Sequence, residues 1–307
     1  MYNFRTDLAT ERRDIYKKAN SIENDINGIE STKEEINDKI SVEKVKILNE
    51  EGEKAIGKPI GSYITIDIKK LKLAQEEDIQ KASEVLTNEL KNILDMHIQK
   101  QDEIIIVGLG NIYVTPDSLG PKVINEIDVT RHLIKYVPDV VGKDTRSVSA
   151  VAPGVLGTTG IETVEILKGI IENTHPKLVV VIDALASRSI ERISSTIQIS
   201  DTGIIPGGGV GNARTEISEK TLGIPVIALG IPTVVETAVL VNDSLNLFID
   251  KLQNDAKSNS YLNEIKEKDN YEEIKDALNP SDYNMIVTPK EIDDLIENMK
   301  DIVARRN

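Results

Sequence analysis

The chain contains no cysteine and no tryptophan, and only 3 histidines and 2 phenylalanines among 307 residues. Without cysteine there is no disulfide, no thiolate zinc site and no cysteine nucleophile. Histidine-based catalysis or a multi-histidine metal site would have to draw on His97, His132 or His175. Cations are also in short supply: 37 Lys and Arg stand against 51 Asp and Glu, a formal charge of −14. That balance argues against a nucleic-acid backbone as the main partner, because neutralising phosphates needs clustered Lys and Arg. No run of about 18 apolar residues occurs, and the N-terminus MYNFRTDLATERR lacks the apolar core of a secretory signal. The expected compartment is the cytoplasm. Carboxylates are the abundant chemical resource.

The length suits one large or two ordinary domains. Residues 9–50 are dense in Glu, Lys and Ile, with Ile15, Ile22, Ile26, Ile29 and Ile36 at mostly helical intervals, which predicts a charged helix with a narrow apolar stripe. GKPIG at 57–61 breaks it, and YITIDI at 63–68 alternates as a half-buried strand. Over 71–98 the positions Ile79, Ala82, Leu86, Leu90, Ile93 and Leu94 recur at three and four, one apolar helix face. The middle of the chain then changes character. EIIIVGLG (103–110), SVSAVAPG (147–154), LVVVIDAL (178–185) and IPVIALG (224–230) are short β-branched runs bounded by Gly or Pro, the pattern of fully buried strands. Helical stretches near 119–134, 162–174 and 235–252 alternate with them, which predicts an α/β fold with a mainly parallel central sheet flanked by helices. After Asp255 the chain turns acidic, and Thr288-Pro289-Lys290-Glu291 reads as a capping box that opens a last helix.

Ligands of open α/β sheets bind beyond the carboxyl ends of the strands, and three such places carry chemistry. Asp117 follows the first run in VTPDSLGP, where its simplest role is to cap a helix after Pro116. Asp183 ends LVVVI, so it should be partly desolvated with a raised pKa, unless it is only a buried carboxylate satisfied by backbone N–H groups. The third place is the loop Gly207-Gly208-Gly209-Val210-Gly211-Asn212. Consecutive glycines can converge N–H groups on a carboxylate, a phosphate or an oxyanion, or form a plain surface turn. No Gly-Lys-Ser/Thr follows it, and Gly108-Leu109-Gly110 lacks the third glycine of a dinucleotide fingerprint. Two aspartates at neighbouring strand ends suggest a hydrolase in which one is ionised and the other protonated. The same pair could hold a divalent metal. A Ser-His-Asp site using Ser118, Ser149 or Ser187 is formally open, yet no Gly-x-Ser-x-Gly elbow is present. The competing non-enzymatic reading is an α/β anion- or nucleotide-binding module without peptidase activity.

The segments RTDLA, VGLGN…VTPDSLGPKV…TRHL, SAVAPGVLGTTGIET, VIDALASRS, TIQISDTGI, PGGGVGN and TLGIPVIALGIPTVV resemble the germination protease family, spore endopeptidases that degrade small acid-soluble spore proteins. The resemblance runs from Arg5 to about Val235. It implies a fold similar to hydrogenase maturation proteases, with helical N- and C-terminal additions, a homotetramer in the spore core, and a zymogen that removes its own N-terminal peptide. The family's two catalytic aspartates fall on Asp117 and Asp183. No cofactor is expected, although the metal question stays open because the family has been grouped with both aspartate- and metal-dependent peptidases. The family cuts after an acidic residue and before an apolar one followed by Ala. Asp7-Leu8-Ala9 has that form, which places self-cleavage between Asp7 and Leu8. The implied layout is a propeptide over 1–7, a peptidase core over 8–254 and an acidic helical extension over 255–307. Arg188 or Arg214 is expected to meet the acidic side chain of the substrate.

Overall fold

The computed structural model describes residues 6–69, 71, 75–142, 144–210, 214–255, 271–278 and 285–305. Gly211 and Asn212, residues 1–5 and much of the 255–307 extension lie outside the described residues. Nine strands form one mixed sheet: β1 (Ile29–Glu35), β2 (Ile40–Ile47), β3 (Gly61–Ile68), β4 (Ile104–Gly108), β5 (Val148–Val151), β6 (Leu178–Ser187), β7 (Thr196–Ser200), β8 (Val226–Glu236) and β9 (Ile286–Val287). Their order is β1-β2-β3-β7-β8-β6-β4-β5, with β9 on the far end of β8. Only β8, β6, β4 and β5 run parallel to one another. The pairings that join β1, β2, β3, β7 and β9 to the sheet are antiparallel, so the expectation of a mainly parallel sheet holds for one half alone.

The difference arises in residues 9–50. They form α1 (Ala9–Ala19) and then the hairpin β1-β2 instead of the continuous charged helix expected. Asn37 sets the turn, its Oδ1 accepting the N–H groups of Lys39 and Ile40 at 2.8 and 2.7 Å. Strand β2 buries Ile40 and Val42 in one core and Val45 and Ile47 in another. Residues of opposite parity point to opposite faces, so β2 changes its buried face midway and shows no sustained alternation.

Helices cover the parallel half on both sides, as its backbone pattern requires. On one face, α3 (Glu76–Asp95), α4 (Leu119–Glu126) and the last helix α11 (Ile292–Ala304) pack with Ile104, Val180, Ile182, Ile227 and Leu229. On the other, α7 (Thr163–Thr174) covers Ile105, Val107, Val179 and Val181. Three of the buried runs read from the sequence are β4, β6 and β8; the fourth is β5, an edge strand whose four residues are only half-buried because it pairs on one side alone. A smaller core under the antiparallel half joins α1 and α2 (Glu50–Ile56) through Ala9, Ala55, Ile56 and Tyr63. The expected capping box does not form: α11 starts at Ile292, Glu291 makes no side-chain cap bond, and the Thr288 hydroxyl donates to Thr233 O at 2.9 Å. Thr288 is used to tie the chain after β9 to β8. Among the described residues, no helix is long and apolar enough to cross a membrane.

Candidate active site

β4 ends beside the middle of β6, with Gly108 paired to Ile182; Asp183 does not end its strand as expected but stands within β6, one residue beyond the point where β4 stops. Glycine brings Asp117 to the same place. A Cβ on Gly120 would overlap Leu109 O and approach Ile182 O at 2.8 Å, and one on Gly108 would overlap the Gly120 carbonyl. The start of α4 can thus rest directly on β4 and β6. Gly110 sits at φ +113°, where a Cβ would overlap Asp117 O and come within 2.9 Å of Asp117 Oδ1. These glycines permit backbone contact; they are not a nucleotide fingerprint. Asp117 itself ends a single 3₁₀ turn, and Ser118 takes the N-cap position of α4. The Asp117 carboxylate turns back to accept the Asn111 N–H at 2.8 Å, so it is not the ordinary cap that its position after Pro116 suggested.

Asp117 and Asp183 line one cleft of about 460 Å³ together with Asp7, Leu109, Val155, Leu185, Gly207 and Arg214. Asp183 is only 5% exposed. Burial pushes its carboxyl well above the ordinary value of 3.8, the negative charges of Asp117 and Asp7 push it further, and the Ala184 N–H opposes them in part. Asp117 is raised as well, by burial, with the Asn111 N–H bond resisting. Asp117 is the more exposed of the two and Asp183 carries the larger rise, so Asp117 is the partner that ionises first. No histidine lines this cleft. Among the described residues no group of three or more His, Asp or Glu converges in a geometry that would hold a metal ion.

The N-terminal segment enters the cleft. Asp7 N–H donates to Ala186 O at 3.0 Å, and Asp7 Oδ2 accepts the Ala186 N–H at 3.0 Å. Leu8 and Ala9 are fully buried. Glu11 fastens the next turn: it accepts the Thr6 hydroxyl and the N–H groups of Arg188 at 2.8 Å and Ser189 at 3.2 Å. Burial raises the pKa of Glu11 against these bonds. The glycine loop closes over Asp7. A Cβ on Gly208 would lie 3.6 Å from Asp7 Oδ1, and one on Gly209 would lie 2.7 Å from Asp7 Cγ. The Gly208 N–H is already bonded to Ile205 O at 3.1 Å, so at that residue the loop supplies room more than a donor.

Asp7 also borders a second pocket of about 310 Å³, lined by Arg12, Lys58, Gln198 and Gly208 among others. Arg12 donates to Thr6 O at 2.9 Å and Gly57 O at 2.7 Å. Burial lowers the Lys58 ammonium to about 8, with Arg12 adding to the drop and Asp7 opposing it. These are the cations that face Asp7. Of the two expected from the sequence, Arg188 is paired with Asp243 at 2.8 Å, while Arg214 lines the main cleft. Arg12 and Lys58 escaped the sequence reading because they stand on α1 and after α2, outside the family segments; Gln198 lies inside TIQISDTGI on β7, where an uncharged amide gave no chemical signal of its own.

The family profile described as Germination protease (Peptidase_A25) matches residues 6–263. The germination protease of Clostridium perfringens (strain ATCC 13124) is 48% identical over 308 residues, covering 99% of this chain and 94% of that protein. The germination protease of Bacillus mycoides (strain KBAB4) is 38% identical over 339 residues, covering 99% and 92%. Among solved structures, the [NiFe] hydrogenase maturation protease HycI from Thermococcus kodakarensis KOD1 aligns with 46% of this chain and 80% of its own at 20% identity and a TM-score of 0.29. With nearly half of all positions shared with a relative along almost the full length, the chain belongs to the germination protease family of peptidases.

Proposed function

We propose that this peptidase is an endopeptidase made as a self-processing zymogen, that it degrades small acid-soluble spore proteins in the spore core during germination, and that Asp117 and Asp183 carry the chemistry. One observation supports this above the rest: Asp7, the acidic residue that precedes Leu8 and Ala9, lines the cleft that holds both aspartates and is bonded there to Ala186 of β6. In this reading the ionised Asp117 takes a proton from water as its oxygen attacks the carbonyl carbon. Asp183, protonated, donates a hydrogen bond to the substrate. Collapse of the tetrahedral intermediate breaks the C–N bond, and the leaving amine takes the proton that Asp117 received from the water. The division of labour resembles other carboxylate pairs whose environments separate their pKa values. The reading needs no cofactor, and the layout it carries is a propeptide over 1–7, a core over 8–254 and an extension over 255–307, assembled as a homotetramer.

The test is incubation of the purified chain alone and with a small acid-soluble spore protein, with and without chelator, followed by N-terminal sequencing and mass spectrometry. A mature chain beginning at Leu8, spore-protein fragments ending in Asp or Glu, and full activity after metal stripping are expected. Intact spore protein sinks the function, a different new N-terminus sinks the assigned cut, and loss of activity in chelator sinks the metal-free mechanism. A nucleotide or phosphate bound without any cleavage would favour the anion-binding reading.

The preference for an acidic side chain is assigned in the same reading to the pocket of Arg12 and Lys58. Lys58→Gln is expected to narrow the discrimination between Asp and Asn before the cut by roughly tenfold, about 1.4 kcal/mol. In the unsubstituted protein the same preference should weaken as pH rises through about 8, where Lys58 loses its charge. Paired peptides compared by kcat/KM across pH give both results, and a preference indifferent to Lys58 and to pH would return the role to Arg188 or Arg214.

A further inference from the structure

Gln198 stands on β7, in a row of the sheet that leads straight to Asp183. It pairs with Gly230 of β8, and Gly230 pairs with Asp183 of β6. Cross-strand partners project to the same face, two strand spacings are about 10 Å, and Asp7 borders both the cleft of Asp183 and the pocket of Gln198. The Leu185 side chain covers Gly230 in that row, where a Cβ would overlap it. Gln198 is 6% exposed, and a buried amide costs free energy unless its donors and acceptor are matched. Its partners are the two residues that flank the Leu8 peptide unit. Oε1 accepts the Ala9 N–H at 2.7 Å, and Nε2 donates to Asp7 O at 3.2 Å. An amide oxygen can only accept and its nitrogen can only donate, so these two bonds also fix the orientation of the side chain.

Asp7 O is the carbonyl oxygen of the Asp7–Leu8 bond. We propose that Gln198 is a catalytic residue that polarises the carbonyl of the bond being cut and, through Ala9, holds the chain on the leaving side. The inference rests on the reading of the Asp7–Leu8 bond as the one cleaved. As the water oxygen bonds to the Asp7 carbonyl carbon, the C=O π pair moves onto Asp7 O, and the Gln198 N–H lies where that negative charge develops. When the C–N bond breaks, the pair returns to form the new carboxyl, the C–N pair goes to the Leu8 nitrogen, and that nitrogen leaves as an amine carrying the proton Asp117 took from the water. A bond of 3.2 Å to the ground-state carbonyl is long enough to shorten as the oxygen becomes anionic, which is how such a donor favours the transition state over the substrate. A substrate protein bound in the same register would meet the same two groups.

Gln198→Glu keeps the shape and the acceptor for Ala9 but loses the N–H donor at neutral pH. Gln198→Met removes donor and acceptor together. In both, self-processing of the full chain and kcat on a peptide carrying Asp-Leu-Ala are expected to fall about 10²–10³-fold, the usual loss for one oxyanion donor, with KM changed far less for Gln198→Glu. Activity of Gln198→Glu should partly return as pH falls, because a protonated carboxyl can donate; a merely structural role would not produce that recovery. Circular dichroism and Tm establish that each variant is folded, and Gln198→Glu carries the test should Gln198→Met not fold. A wild-type chain that cuts nowhere, or cuts elsewhere than Asp7–Leu8, removes the functional reading and this inference with it. A wild-type chain that cuts there while folded Gln198→Glu keeps pace within threefold, or loses only KM, overturns this inference alone.

Discussion

Asp117→Asn and Asp183→Asn should each fold and each lose at least about 10³-fold in kcat, because asparagine keeps the volume but neither takes up nor gives up the proton the reaction moves. The two should not add: a double variant should be little slower than either single one, as expected of groups that act as a unit. Rates of self-processing, read as the appearance of a chain beginning at Leu8, measure this without added substrate. Retained turnover in either variant would remove that residue from the chemistry. Stability gives an independent check on Asp183. Its folded pKa lies above the ordinary 3.8 because of burial and the charges of Asp117 and Asp7. Above pH 3.8 the unfolded chain gains by ionising while the folded chain holds its proton, so the wild type loses stability relative to the asparagine variant as pH rises. Asp183→Asn should therefore melt higher than the wild type at pH 7, and the gap should close at a pH below 3.8. An unchanged or lowered Tm at pH 7 would mean that the native carboxylate is stabilised by something other than its described neighbours.

The second large effect is expected from a residue with no functional group. Gly110→Ala places a methyl group on the Asp117 carbonyl at a φ of +113°, a region L-residues rarely adopt. The 3₁₀ turn must move, and Asp117 with it. A shift of about 1 Å in a reacting group can cost about 10²-fold, so kcat should drop by that order while KM for a peptide changes little. Thermal melting should show a loss of about 1–3 kcal/mol, in the range of special backbone positions. Wild-type kcat in Gly110→Ala would show that the turn has room to relax and that Asp117 is not held as tightly as its glycine neighbours imply.

Much of the parallel half was legible beforehand. The β-branched runs at 103–110, 178–185 and 224–230 became β4, β6 and β8 because strands covered on both faces are apolar at nearly every position, whereas 147–154 became β5, a half-buried edge strand. The antiparallel half was not. β2 buries residues of both parities in two different cores, and β1 leaves most of its side chains in solvent, so the period that distinguishes strand from helix never develops over 29–47. β7 passed unnoticed as a strand although all five of its residues are buried, since the polar Thr196, Gln198 and Ser200 interrupt the continuous apolar run by which β4, β6 and β8 were recognised.

The same division runs through the candidate site. Residue type and place along the chain singled out Asp117 and Asp183, because a carboxylate after a buried strand stands out against so apolar a background. That they share a cleft depends on Gly108, Gly110 and Gly120 letting α4 lie against β4 and β6, a contact between backbones that no side-chain pattern records. Composition excluded cysteine and disfavoured nucleic-acid chemistry, and local pattern marked the buried strands. Only the tertiary structure could bring Asp7, Arg12, Lys58 and Gln198 to one place, because the burial and charge that make them chemically useful come from neighbours up to 191 residues away in sequence.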